Sequence, residues 1–386
     1  MTITRRSLGA GAAALVLAGP ARAEGEVVRI GYTGPLSGGA ALYGKNCLTG
    51  LQMAAEEMNA AGGLDIAGKA VRIEVAPLDD RYAPSDAAVN AKRLAQQSRA
   101  PVVFTSHSGG AFAIQAFNQA EDILLAAYTS LPATTERGNT LTLRIPPSFG
   151  LYPEPFARYE MKRFGKKLAM AGGEHDYAKA WAALFGPAWT KAGGTIVADN
   201  PLSYNKDADF YSGVSKVLAA GPDVLFVGGA SEPTGLVVRQ ARELGFQGGF
   251  AVMDQAKLDE VAKIAGGLDA LDGAIGVLPL AYDDRPEMQA FVKRYRAKHR
   301  IDPNTEAALN YTALYVVATA MRLAGTTTDA RAIRAQCAVA VSKVPAEHNP
   351  NAVQGIDERG GFLQNAPLCV VEKGKIRLVQ LSELSQ

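Results

Sequence analysis

Short apolar runs rich in β-branched and aromatic residues alternate along the chain with segments whose apolar positions recur at helical spacing. The first run, 27–32, ends in a glycine-rich turn, and the next segment predicts a helix with an apolar face of Leu48, Leu51, Ala55 and Met58. The same criteria predict further strands at 71–78, 101–105, 123–128 and 140–145, and helices at 85–97 and 110–120. Strands that alternate with helices predict a parallel sheet covered on both faces.

The same rhythm begins again after Pro146 and Pro147. It predicts strands at 167–171, 195–198, 224–227 and 250–253, helices at 178–191, 209–219 and 233–244, long helices at 286–299 and 305–323, and short strands around a Lys373-Gly374 turn within 362–381. A chain of 386 residues is longer than one modest core usually serves. We therefore expect an α/β protein built from two successive units.

The first 23 residues have the layout of an export signal. A basic pair, Arg5-Arg6, precedes an apolar stretch that is too short to span a bilayer, and Ala21-Arg22-Ala23 supplies small residues for cleavage after Ala23. The pair also resembles a twin-arginine signal, which leaves the export route open. No later stretch has the length and apolarity of a spanning helix, so we expect a periplasmic protein.

Net charge and cysteine content bear on the possible partners and on the possible disulfides. Without residues 1–23 the formal charge changes from +2 to −1, which removes the electrostatic argument for a nucleic-acid partner. In an oxidising compartment Cys337 and Cys369 could form a disulfide and leave Cys47 over, or all three could be buried thiols. Spacing alone leaves both alternatives open.

The sequence offers no convincing cofactor, metal or catalytic motif. The segment 39–46 matches a phosphate loop except at Asn46, which replaces the hydroxyl residue that would hold magnesium. The four histidines have no ligand spacing that favours zinc. Ser108 follows His107, but no nucleophile elbow surrounds it. We therefore expect a protein that is not an enzyme and that has no cofactor.

Polar side chains follow three of the predicted strands. Ser108 and Gly109 come after 101–105, and a helix that begins there would present backbone N–H groups to a carboxylate. Tyr128, Thr129 and Ser130 follow the next strand, and Asp254 follows 250–253. In open α/β sheets ligands bind at the carboxyl ends of strands. Helix capping by Ser108 and a solvated loop position for Asp254 are the ordinary alternatives.

Several stretches resemble the periplasmic solute-binding proteins of ABC importers, whose best-known members bind leucine, isoleucine and valine. The resemblance covers about 27–380 and is strongest in IGYTGPLSGGAALYGKN, GLQMAAEEMNAAGG, PLDDRYAPSDAAVNAKRL and VGGASEPTGLVVRQARELGF. It implies a type I, Venus-flytrap fold, in which two Rossmann-like lobes with parallel sheets are joined by a three-stranded hinge. The implied lobes are 24–145 with about 279–355, and 146–278 with about 356–386.

The resemblance also implies roles for individual residues. Ser108 would bind the α-carboxylate of the ligand with the backbone of Gly109, and Asp254 would pair with the α-ammonium group. Ser130 would contact both groups, with Thr129 able to take the same role. The remaining positions are the backbone of Tyr128 and two covering aromatic residues, Tyr43 and Tyr177.

Four positions depart from the aliphatic amino-acid binders. Tyr82 and His107 replace a disulfide, and Ala230 replaces an aromatic ligand contact. Glu306 replaces an aromatic pocket wall, so either it points outward or the ligand is not simply leucine-like, because a buried unpaired carboxylate is costly. Branched-chain specificity is therefore an open question.

The function expected from the resemblance is delivery of a small carboxylate-bearing solute, most plainly an amino acid, to an ABC permease in the inner membrane. The protein would be a monomer. An amine-free solute such as an aromatic carboxylate or an amide, and a ligand-sensing regulatory role, are the alternatives.

Overall fold

The structure, a computed structural model, describes residues 26–365, 367–379 and 381–384. The predicted export signal, 1–23, lies outside the described residues. Within the described ranges, no helix combines the length and the apolarity needed to cross a membrane.

The first half of the chain forms a six-stranded sheet. Its strands are β1 (Glu26–Gly34), β2 (Leu64–Ile66), β3 (Lys69–Asp79), β4 (Val102–Thr105), β5 (Leu124–Ala127) and β6 (Thr142–Arg144). They lie in the order β2-β3-β1-β4-β5-β6, and all neighbours are parallel except β2 and β3. The carboxyl ends of β1, β4 and β5 therefore meet at one edge, where the loops around Ser108 and Ser130 begin.

A second sheet of seven strands follows. Its strands are β7 (Lys167–Gly172), β8 (Thr195–Asp199), β9 (Val224–Gly228), β10 (Gly249–Val252), β11 (Ala274–Val277), β14 (Leu368–Glu372) and β15 (Lys375–Val379). Between β11 and β14 the chain forms a separate two-stranded hairpin of β12 (Gly355–Ile356) and β13 (Phe362–Leu363). The order is β15-β14-β11-β10-β9-β7-β8, with β14 and β15 antiparallel at one side. Asp254 follows β10 at the carboxyl edge of this sheet.

Helices cover both sheets. The α-helices are α1 (Ala41–Ala60), α2 (Pro84–Ser98), α3 (Ser108–Gln115), α4 (Ala133–Glu136), α5 (Pro153–Arg163), α6 (Asp176–Lys191), α7 (Tyr211–Leu218), α8 (Ser231–Glu243), α9 (Leu258–Ala265), α10 (Pro286–His299), α11 (Thr305–Ala324), α12 (Ala330–Val341) and α13 (Leu381–Leu384). A Cβ on Gly50 of α1 would collide with the carbonyl oxygen of Ala307. Glycine therefore permits α1 and α11 to pack closely, which fixes the start of α11 and with it Glu306.

The chain passes between the two sheets three times, after β6, after β11 and before β14. The passing segments contact one another: the N–H of Leu278 donates to Pro367 (2.9 Å), and Gln364 Nε2 donates to Ile145 (2.7 Å). These hydrogen bonds connect the three segments that pass between the two lobes.

Several elements escaped prediction from the sequence. The helices α5, α9 and α12 and the strand β11 were not expected, and α3 ends at Gln115 where a helix to 120 was predicted. Helix α5 begins at Pro153, which suits a first helical turn, but the prolines before it indicated only a break. Strand β11 has four residues and is buried on both faces, so it lacks the alternation that marks a half-exposed strand.

The cysteines are three buried, unpaired thiols, so the disulfide alternative for Cys337 and Cys369 is wrong. Cys337 lies on α12 in the core around the first sheet, whereas Cys369 lies on β14 in the core of the second. The two side chains belong to different lobes, which spacing along the chain does not reveal.

Candidate ligand-binding site

The loop after β4 presents Ser108 to the space between the lobes. The cap of α3 is His107, whose Nδ1 accepts from the N–H of Gly110 (3.0 Å), so the capping role considered for Ser108 is wrong. The Ser108 hydroxyl instead forms a hydrogen bond with Thr129 Oγ1 (2.7 Å). Because His107 satisfies the helix end, the Ser108 hydroxyl faces the neighbouring loop.

The loop after β5 runs beside it. The N–H of Tyr128 donates to the carbonyl of Thr105 (2.7 Å), which holds the two loops in register. Ser130 Oγ donates to Asp254 Oδ2 (2.6 Å) and lies 2.6 Å from the Tyr177 hydroxyl. Ser130 therefore connects the first lobe to a carboxylate and a phenol of the second.

Asp254 is surrounded by neutral donors. Besides Ser130, the hydroxyl of Tyr177 and Nε1 of Trp181 donate to Oδ1, the indole at 2.9 Å. Tyr177 and Trp181 lie one turn apart on α6. Burial, followed by the nearby charge of Asp254, raises the pKa of Tyr177 well above its ordinary value, which keeps the phenol a donor. Sequence reasoning missed Trp181, although its spacing from Tyr177 was a usable signal.

An aromatic pair and a glycine surround the two loops. Tyr43 on α1 meets Tyr128 edge to face, with ring centroids 5.9 Å apart. A Cβ on Gly109 would lie 2.7 Å from Pro84 Cγ and 3.3 Å from Asp176 Oδ2. Since Asp176 belongs to the second lobe, glycine at this position permits the close approach of the two lobes.

Glu306 is buried, so the alternative in which it points outward is wrong. Its carboxylate oxygen Oε1 lies 2.9 Å from Nζ of Lys257, and the two side chains are 1% and 3% exposed. Lys257 also donates to the carbonyls of Asp254 (2.6 Å) and Gln255 (3.1 Å). Burial raises the pKa of Glu306 to about 7 against the lowering effect of Lys257. For Lys257 burial lowers the pKa, but the combined attraction of Glu306, Asp254 and Glu260 outweighs it, and the pKa is raised.

Sequence reasoning missed Lys257. Three residues after Asp254, it stands at the N-cap of α9, a helix of eight residues that was not predicted. Its partner Glu306 is at the start of α11, on the other lobe. The signal in the sequence was the carboxylate of Glu306 at a position where the resemblance implies an aromatic residue. A buried carboxylate needs a cationic partner, but the sequence does not indicate which residue supplies it.

Tyr82 and His107, for which the family resemblance implied a disulfide position, form a ring stack with centroids 4.6 Å apart. His107 Nε2 contacts Asp80 Oδ2 (3.1 Å), and the Tyr82 hydroxyl accepts from Gln255 Nε2 (3.0 Å) of the second lobe. His175 meets the edge of Tyr82, and burial lowers its pKa to about 4. The noncovalent stack thus joins the loops and extends to the opposite lobe.

These side chains line a cavity between the lobes whose volume, including the part open to solvent, is ≈310 Å³. Every predicted site residue except Gly109 and Glu306 lines it. The complete lining is Tyr43, Tyr82, His107, Ser108, Tyr128, Thr129, Ser130, Pro146, Tyr177, Asp254, Gln255 and Lys257. Across the described residues, no group of three or more His, Cys, Asp or Glu side chains is arranged to hold a metal ion.

A family model for periplasmic binding proteins matches residues 27–358. The chain belongs to this family. An amino acid binding protein of Pseudomonas aeruginosa is 28% identical over 79% of this chain and 81% of its own length. The leucine-, isoleucine-, valine-, threonine- and alanine-binding protein of the same organism is 26% identical and covers 90% of both chains.

Solved structures of periplasmic binding proteins share the fold. The branched-chain amino acid transporter substrate-binding protein LivJ of Streptococcus pneumoniae, in complex with isoleucine, aligns with a TM-score of 0.75 at 24% identity and covers 92% of this chain and 99% of its own. An ABC transporter solute-binding protein of R. palustris in complex with benzoate has a TM-score of 0.77 at 20% identity, with 92% and 95% covered. At these identities the likeness shows the two-lobed fold alone.

Proposed function

We propose that this protein is the substrate-binding component of an ABC importer and that it encloses an amino acid between its two lobes. The observation that carries the proposal is the partly buried carboxylate of Asp254, which faces the hydroxyl loops of the first lobe through Ser130. The printed names of the two Pseudomonas aeruginosa relatives, both amino-acid binders, support the same ligand class.

The charges around the cavity favour a zwitterion. Asp254 and Lys257 are the charged side chains of the lining apart from histidine, and Lys257 is paired with Glu306. The hydrogen-bond donors to the Asp254 carboxylate are therefore neutral, and an ammonium group of the ligand would supply this partly buried anion with an opposite charge. The Ser108 and Ser130 hydroxyls and the Gly109 N–H would hold the ligand carboxylate.

Contacts across the cleft support closure around the ligand. Ser130 with Asp254, Tyr82 with Gln255, and Glu306 with Lys257 each join a residue of the first lobe to one of the second. Hinge closure of this kind would couple ligand occupancy to recognition by the permease, because a closed arrangement presents both lobes at one spacing.

We propose lobes that follow the two cores. Ile356 and Phe362 pack with the first core, whereas Leu368 and Val370 pack with the second. The first lobe would then keep the β12–β13 hairpin, and the third passage would lie after Leu363, later than the sequence predicted. We also propose export to the periplasm with cleavage after Ala23, and a monomeric protein.

Isothermal titration of the purified mature chain, 24–386, tests the ligand class. We expect saturable binding of one or more L-amino acids and at least tenfold weaker binding of the matching amine-free carboxylates, because those compounds leave Asp254 without a cation. Equal or tighter binding of benzoate or another amine-free carboxylate would contradict the amino-acid proposal. Uptake of the labelled ligand by cells with and without the protein would test the importer role.

A further inference from the structure

A second cavity of ≈600 Å³ adjoins the first. It lies beside the three passing segments and contacts Pro146 and Pro147 of the first, Leu278 of the second, and Gln364 and Pro367 of the third. Tyr128, Pro146, Asp254 and Lys257 line both cavities and form the partition between them. The space behind Asp254 is therefore larger than the space around the serine loops.

The two cavities differ in chemistry. Every residue that lines the first carries a polar side-chain atom except Pro146, and none is aliphatic. The second is lined by side chains that the first lacks, namely the apolar Val277, Leu278, Leu280, Met288 and Leu309. Its polar lining consists of Thr305, the phenol of Tyr152, three amide side chains and the ion pair of Asp283 with Arg285, besides the residues that it shares with the first. An alkyl or aryl group in the first cavity would leave buried polar groups unpaired, whereas in the second it would contact apolar walls.

Lys257 lines the partition but does not disfavour an apolar ligand group there. Its ammonium group is occupied by Glu306 and by the carbonyls of Asp254 and Gln255. The charge is neutralised by the carboxylate behind it, so the cation offers no unpaired donor to an anionic substituent. Its methylene groups can border an apolar substituent without cost.

From this arrangement we propose that the ligand places its carboxylate and ammonium groups in the first cavity and extends its side chain past Lys257 into the second. The inference rests on the proposed amino-acid function and specifies it: the ligand is an amino acid whose side chain is larger than that of leucine and mainly apolar, such as an aromatic or a long unbranched one.

A titration series of alanine, valine, leucine, methionine and phenylalanine measures the effect of side-chain size. Each methylene group moved from water into an apolar cavity strengthens binding roughly fourfold. We therefore expect phenylalanine and methionine to bind at least about tenfold more tightly than alanine. Alanine or valine binding as tightly as phenylalanine would overturn the extension and leave the proposed function intact.

Filling the second cavity supplies the decisive variant. Thr305 lines it at the first turn of α11 and is partly exposed, so Thr305→Phe adds a ring with little demand on the core. Val277→Phe fills the same cavity from β11, so it tests the proposal independently if the substitution at position 305 disturbs folding locally. Val89→Phe, at a site on α2 that is 65% exposed, is the matched control.

We expect each filled variant to lose at least about tenfold in affinity for phenylalanine while alanine affinity stays within about twofold. Equal losses for both amino acids, or no loss for phenylalanine, would overturn the extension. Failure of the unmodified protein to bind any amino acid in the series, with binding of an amine-free carboxylate, would overturn the proposed function itself.

Discussion

Asp254 and Lys257 lie three residues apart in one loop, and the protein treats their charges in opposite ways. The Asp254 carboxylate is held by a serine hydroxyl, a phenol and an indole, which are all neutral donors. The Lys257 ammonium is held by the Glu306 carboxylate and two backbone carbonyls. One carboxylate has only neutral hydrogen-bond donors, whereas the ammonium group forms a direct ion pair inside the protein.

The difference separates a binding group from a structural one. Neutral donors stabilise an anion without cancelling its field, so Asp254 remains able to attract a ligand cation. An ion pair removes the field but carries the desolvation cost of two buried charges, and the loss of either partner exposes that cost. The first three predictions below alter one side of this comparison, and the fourth alters a contact of Gln255, which lies between the two residues in the same loop.

Lys257→Met should have the largest effect, on stability. It leaves Glu306 buried without a cation, and the expected loss is about 3–5 kcal/mol of unfolding free energy at pH 8. Adding Glu306→Gln should recover most of that loss, because the double variant buries no ionisable group at either position. Urea denaturation of the two single variants and the double variant measures the coupling. Additive effects of the two substitutions would contradict a direct pair.

Asp254→Asn should act on binding. The amide keeps its shape and part of the hydrogen bonding to Trp181 but removes the charge, and the expected loss is about 2–5 kcal/mol of amino-acid binding energy, or roughly 30- to 4,000-fold in Kd. Asp199→Asn, at the exposed end of β8, is the matched control. Titration calorimetry provides the measurement, and an unchanged Kd would show that Asp254 is not the ammonium partner.

The pH dependence of the unfolding free energy should show the titration of Glu306. Burial raises its pKa from the ordinary 4.5 to about 7, so between these values the folded chain holds a proton that the unfolded chain has released. Stability attributable to this group therefore falls as pH rises from about 4.5 to 7, by at most about 1.4 kcal/mol per pH unit. Glu306→Gln removes the effect. A difference in unfolding free energy between wild type and variant that does not change across this window would contradict the prediction.

Tyr82→Phe should have the smallest effect. It keeps the ring stack on His107 but removes the hydroxyl that accepts from Gln255 across the cleft. A neutral hydrogen bond contributes about 0.5–1.5 kcal/mol, so ligand affinity should fall roughly 2- to 13-fold with little change in stability. Tyr82→Ala, which also removes the stack, is the comparison variant, and equal behaviour of the two would show that the hydroxyl alone matters.

The positions of strand ends were predictable because each is a local pattern. The apolar runs before Ser108, Tyr128 and Asp254 mark strands directly, and parallel pairing brings their carboxyl ends to the edge of a sheet. Strand β11 escaped because it is buried along nearly its whole length and shows no alternation of apolar and polar positions. Helix α9 escaped because it has only eight residues, although its buried positions 258, 261, 262 and 265 follow helical spacing.

The sequence by itself determined the α/β class, the two-unit organisation and the polar loops, since these depend on the order of residues over one element and its neighbour. The tertiary structure decided which residue pairs with Glu306 and that Cys337 and Cys369 lie in different lobes. Both depend on packing between segments that are far apart in the chain. Lys257 and Glu306 are separated along the chain by α10 and meet only where the two lobes approach. The second cavity has the same origin, because its walls come from all three passages between the lobes and no single segment contains them.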